Sequence, residues 1–179
     1  MTDFAQDPII NAINGGIRRG IQTTVENKCF GSAVILIYAG IDAMAYLDMP
    51  DGQEDVKKID FIQWSDRYIR FPCQEQLSGA DLYGARCGML HNYSVYSRMT
   101  KSGECRKIGY ADKMVPEVGL GPAVAKDVVI VSVTGLAEAF SQGLDQFLVD
   151  VFSNSNRALL AEQRMKNFIH YFSFPVKGA

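Results

Sequence analysis

The sequence predicts a mainly α fold: a single helical bundle of about six helices with a small β-hairpin insertion at about residues 104–133. Three observations carry this. Apolar residues recur at helical spacing through most of the chain. The run "GSAVILIYAGIDAMAYL" is apolar nearly all round, as the central helix of a bundle must be. From about residue 97 to about residue 126 the helical period lapses, and two short strand-like runs stand in or beside that gap. With 179 residues, 47% of them hydrophobic, the chain can bury one substantial core and is too short to expect two. Residues 1–179 therefore read as one domain, without repeat, low-complexity segment or linker.

The first helix opens with Asp7 as its cap and Pro8 in its first turn. Ile9, Ile13, Ile17, Ile21 and Val25 follow at four-residue spacing as one stripe, with Arg18 and Arg19 off it. Gly15, Gly16 and Gly20 weaken this helix locally. The second helix, 31–49, is closed by Pro50 and the turn "PDGQED". It is slightly short for a bilayer and carries Asp42 past its middle, so a buried core helix is expected rather than a membrane span. A third helix over about 55–70 places Phe61, Trp64 and Tyr68 along one side, a stripe suited to core packing.

"FPCQEQLSG" breaks the pattern before a fourth helix at about 79–92. There Ala80, Gly84 and Gly88 make a smooth face, for which the Ala39, Gly40 and Ala43 surface of the second helix is the natural partner. "CRKIGYAD" and "KDVVIVSVTG" read as the two strands of the hairpin. The connection "KMVPEVGLGPAVA" is too interrupted by proline and glycine for a nucleotide loop. Helical spacing resumes at about Gly135 with Leu136, Phe140, Leu144, Phe147, Leu148 and Val151. A last helix over about 156–172 is expected to bury Leu160, Met165, Phe168, Ile169 and Phe172.

Composition narrows function mostly by exclusion. A formal net charge of −2 argues against coating nucleic acid or membranes by bulk charge. "MTDFAQDPII" lacks the cationic-then-apolar pattern of a secretory leader, so a cytoplasmic protein with four reduced thiols (Cys29, Cys73, Cys87 and Cys105) is expected. No two of them form a CxxC pair and no histidine stands at zinc-ligand spacing from one, so neither metal nor other cofactor is expected. Asp48, Asp51, Glu54 and Asp55 surround a turn and read as solvated. The GxSxG and HExxH signatures are absent.

Two histidines remain. His170, in "NFIHYF", shares a helical face with Gln163 and Lys166 and reads as an exposed structural residue. His91 follows Arg86 in "GARCGMLHNY". Arg86 is the only charge between Asp81 and Arg98, and its helical neighbours Leu82, Tyr83, Met89 and Leu90 are apolar or aromatic, so it needs a partner. Asp42 is the natural one, the only charge in its helix before Asp48. Two readings stay open. The pair fixes helix register, or it belongs to an RNA-cleaving site in which a histidine moves a proton and a fixed arginine stabilises the phosphate. Five residues make about 140° of helical rotation, so Arg86 and His91 converge only if the helix ends near His91 or a second subunit completes the site.

"RCGMLHNY" resembles the R-x4-6-H motif of the HEPN superfamily, in the R-x4-H-x-Y form of HEPN toxins paired with nucleotidyltransferase antitoxins. "RMKNFIH" also satisfies the shorter pattern, but only the first copy has a tyrosine two residues after its histidine. The resemblance implies a small helical bundle, usually a homodimer, often a metal-independent endoribonuclease in a toxin or defence system with an antitoxin or regulatory partner. By position Arg86 and His91 become the catalytic pair and Tyr93 the residue that accepts a nucleotidyl group, with Asp42 holding Arg86. Downstream, Arg98, Lys101, Arg106, Lys107 and Lys113 outnumber Glu104 and Asp112, and with Tyr93 and Tyr96 nearby offer RNA contacts; a solvated loop is the other reading. The alternatives to a nuclease are a non-catalytic HEPN-like module binding RNA, a nucleotide or a protein, and a helical interaction protein in which Arg86 is a structural ion pair.

Overall fold

The computed structural model describes residues 8–112, 118–120 and 127–168. Its first rod is continuous but not uniform. Helix α1 (Pro8–Asn11) passes through a π-helical segment (Ala12–Arg18) into α2 (Arg19–Glu26). Strict four-residue spacing drifts forward around an α-helix, and the wider π turn takes that drift back. Ile9, Ile13 and Ile21 are therefore buried together, with Ile17 and Val25 half-buried beside them.

Helix α3 (Phe30–Asp48) is the centre of the bundle, and Ile37, Tyr38, Ile41 and Met44 have no exposed surface at all. By length and composition α3 is a helix apolar enough to cross a membrane, and half of its most apolar window is buried by the rest of the bundle. Its C-terminal end is closed by Arg164. Nη1 donates to the carbonyls of Leu47 at 2.8 Å and Met49 at 2.6 Å, and Nη2 to that of Pro50 at 2.8 Å. A guanidinium suits that position because the orphan carbonyls carry the negative end of the helix dipole.

Helix α4 (Lys58–Tyr68) starts later than the spacing predicts because Asp60 accepts the Lys57 backbone N–H at 2.6 Å and sets the first turn. Trp64 packs against the rings of Tyr68, Phe140 and Phe147, so the aromatic stripe is core as expected. Helix α5 (Gly79–Asn92) occupies the predicted span, started by reciprocal bonds between Ser78 and Asp81. A short helix α6 (Arg98–Ser102) lies where the sequence shows no helical period.

The small β insertion is present, but its pairing corrects the expected hairpin. Strands β1 (Lys107–Ala111), β2 (Val118–Leu120) and β3 (Val128–Ser132) form a sheet in the order β1-β3-β2. The two strands legible in the sequence, β1 and β3, run parallel, from Lys107 opposite Val128 to Ala111 opposite Ser132. The antiparallel neighbour of β3 is β2, drawn from the proline- and glycine-rich connection. Val129 and Val131 have no exposed surface, which fits the β-branched run to a central strand with neighbours on both sides.

Helix α7 (Val133–Phe152) follows β3 directly, its Gly135 N–H donating to Ser132 Oγ at 3.1 Å. The predicted stripe is buried, with Leu148 half-buried. Helix α8 (Ser155–Met165) ends before the predicted 172, and Ile169, His170 and Phe172 lie outside the described residues.

The glycines of α5 do not meet α3 as expected. A Cβ on Gly84 would stand 2.2 Å from Cys105 Sγ, and one on Gly88 would stand 2.3 Å from the Ser94 carbonyl oxygen. The chain that leaves α5 folds back onto its glycine face. Gly40 of α3 is filled instead by Phe140 and Ile17, and α3 meets α5 through other residues.

Candidate active site

Helix α5 divides its surface three ways. Leu82, Ala85 and Met89 face the core, Gly84 and Gly88 take the returning chain, and Tyr83, Arg86, Cys87, Leu90 and His91 form a stripe open to solvent to varying degrees. By helical rotation Arg86 and His91 stand at the two edges of that stripe, about 140° apart.

Arg86 and Asp42 pair as the sequence predicts. Arg86 Nε donates to Asp42 Oδ2 at 2.9 Å and Nη2 approaches the same oxygen at 2.8 Å. About a quarter of each side chain is exposed, 23% for Arg86 and 25% for Asp42, so the pair lies at the rim of the α3–α5 seam. Burial pushes the Asp42 carboxyl above its usual range, and the Arg86 hydrogen bond and charge pull it only part of the way back. For Arg86, burial works against the cation, and the bond and charge of Asp42 outweigh it and raise the pKa. Its guanidinium carbon also stands 5.9 Å from the Tyr83 ring centroid. Burial, with the neighbouring Cys87 thiol adding to it, raises the Tyr83 hydroxyl.

His91 occupies the last turn of α5, is exposed, and makes no ion pair or side-chain hydrogen bond among the described residues. The helix stops one residue later. Tyr93 adopts the left-handed conformation at φ 50°, its N–H donating to Met89 at 3.1 Å while the Ser94 N–H reaches Gly88 at 3.1 Å. The break anticipated near His91 is therefore present, yet it turns the chain away and does not bring His91 to Arg86. Tyr93 remains 66% exposed, with its hydroxyl over Gly31 in the first turn of α3, where a Cβ would stand 1.6 Å from the oxygen.

The downstream cations divide. Arg106 is consumed internally: Nε and Nη2 donate to Asp81 Oδ2 at 3.1 and 2.7 Å, Nη2 also to the Gln76 carbonyl, and Nη1 to Glu75 at 2.5 Å. The ion pair with Asp81, 3% exposed, holds Arg106 to the start of α5, a structural role that its sequence position does not announce. Lys107 pairs with Asp127 at 2.6 Å and stands 5.6 Å from the Tyr96 ring centroid. Arg98 and Lys101 are exposed and in no salt bridge among the described residues; Lys113 lies outside those residues. Arg164, from the second copy of the short motif, is committed to the end of α3.

Lys58 was not legible as a site residue. It comes from α4, and its Nζ stands 5.7 Å from the Tyr83 ring centroid, a contact that no spacing within one helix reveals. A cleft of about 400 Å³ at the far end of α3 is lined by Asp48, Trp64, Arg67, Arg157 and Leu160 among others. Asp48, read as solvated, pairs there with Arg157 at 2.6 Å. All four cysteines are free thiols, as expected, and no cluster of metal-ligating side chains occurs among the described residues. Comparison with family models, curated proteins and solved structures gave no match.

Proposed function

We propose that this chain is a metal-independent endoribonuclease of HEPN type, acting as a cytoplasmic homodimer in a toxin or defence system. The observation that carries the reading is the way Arg86 is held. Asp42 takes Nε and Nη2 through one oxygen, and the guanidinium, about a quarter exposed, lies beside a half-exposed helical stripe that ends at a histidine unpaired among the described residues. A fixed, unsaturated arginine is what phosphate binding needs. Two copies packed about Cys87 and Leu90, with Tyr83 outside the seam, set Arg86 of one chain against His91 of the partner subunit.

The chemistry then runs within the RNA. The 2′-oxygen bonds to the adjacent phosphorus as its proton passes to the His91 imidazole, the bond to the 5′-oxygen breaks, and the imidazolium so formed gives a proton to that oxygen as it leaves. Arg86 stabilises the charge that gathers on the phosphoryl oxygens. Tyr93, exposed at the helix end, is the substrate contact or the point of nucleotidyl modification by a regulatory partner.

The Asp42 contact also favours a second reading, a helical interaction protein in which the ion pair fixes register. A non-catalytic RNA- or nucleotide-binding module stands between the two. Incubation of purified protein with mixed RNA in chelator, against His91→Ala, separates them. RNA decay that His91→Ala abolishes is expected; equal decay in both, or none in either, overturns the nuclease. Arg86→Ala that lowers the melting temperature sharply and leaves RNA binding intact favours the register role.

A further inference from the structure

Two cations from different helices approach the Tyr83 ring. Lys58 of α4 and Arg86 of α5 stand 5.7 and 5.9 Å from its ring centroid. Phe61 braces the ring edge-on at 5.4 Å. Among the described residues Lys58 is tethered only to Glu104 at 3.5 Å, with 46% and 52% of the two side chains exposed, a pair that contributes little. The loop cations Arg106 and Lys107, in contrast, already hold short ion pairs. The α4–α5 face thus brings two cations to one aromatic ring, Lys58 in a loose pair and Arg86 in a firm one, beside the exposed Arg98 and Lys101 of α6.

We infer that single-stranded RNA crosses this face, with one phosphate on Arg86, a neighbouring phosphate on Lys58 in place of Glu104, and a base against the Tyr83 ring. This rests on the ribonuclease reading for its substrate and adds the path the strand takes. Cations that track the backbone and an aromatic face that takes a base together recognise a single strand without regard to sequence.

The test uses the full chain with His91→Ala, so that RNA survives, and a short single-stranded oligoribonucleotide, with affinity measured across a salt series. Adding Lys58→Ala is expected to weaken binding about five-fold or more and to lower the salt slope by about one. Tyr83→Leu is expected to weaken it about ten-fold. Glu104→Gln, which releases Lys58, is expected to tighten it. Affinity unchanged by Lys58→Ala, or no RNA binding at all, overturns the path. So does equal Lys58-dependent binding of a polyglutamate peptide, which points to an acidic protein partner. Lys58-dependent binding of RNA that the His91-containing chain does not cut removes the nuclease and leaves the path; cutting without Lys58 dependence does the reverse.

Discussion

The two ends of α5 each join an arginine to an aspartate, and they do so in different ways. At the start, Asp81 is buried, caps the helix through Ser78, and accepts both the backbone and the side chain of Arg106, whose remaining donors go to Glu75 and Gln76. Toward the end, Asp42 receives Arg86 through one oxygen at a rim where both side chains keep contact with water. The first arrangement takes four contacts from the Arg106 guanidinium and ties it to a buried carboxylate, with 28% of the arginine side chain exposed. The second takes two contacts from Arg86, with 23% exposed, and its carboxylate is itself a quarter exposed. What separates the two is the aspartate: Asp81 is buried and built into a cap, and Asp42 stands at a rim.

The largest expected effect tests the closed end. Asp81→Ala removes the cap and leaves Arg106 without its buried partner, and is expected to cost about 3 kcal/mol in urea unfolding. Asp42→Ala, at the rim, is expected to cost only about 1 kcal/mol. Equal costs would erase the contrast. Next comes Gly88→Ala, whose Cβ meets the Ser94 backbone oxygen at 2.3 Å, where no flexible side chain can yield. A loss of about 2 kcal/mol, read as a lower melting temperature, is expected from that overpacking.

The smallest effect is one of sign. Both aspartates depart from the ordinary value of 3.8, in opposite directions. For Asp81, burial raises the pKa but the bonds from Arg106 and Ser78 outweigh it, so the folded value is depressed. Its contribution is present above the ordinary value and is lost as pH falls through the depressed one. For Asp42 the folded value is raised, so its contribution is full below the ordinary value and declines as pH rises through the raised one. Stability against pH for Asp81→Asn and Asp42→Asn, each minus the parent, should therefore slope in opposite directions across the acidic range. Parallel slopes would contradict the two environments.

The same contrast explains what was legible in the sequence. The long helices follow from periodicity, and the Asp42–Arg86 pair follows from two lone charges on apolar helices that have to pack. Gly84 and Gly88 announce a close approach but not by what, and a returning loop fills the space that a helix was expected to fill. Arg106 looks like surface charge because its partners lie 25 to 31 residues away, before and inside α5. The parallel pairing of β1 with β3 is equally non-local, and two short strand-like runs look the same whichever way they align. Tyr83 and Lys58 meet only after α4 and α5 have packed.

Trp64 gives the bundle a built-in optical reporter. It is the chain's one tryptophan, 2% exposed, caged by Tyr68, Phe140 and Phe147, with its indole N–H bonded to no acceptor among the described residues. Such an indole emits at short wavelength and shifts to the red only when α4 parts from α7. Loss of the core is thus readable at one position in an unlabelled molecule.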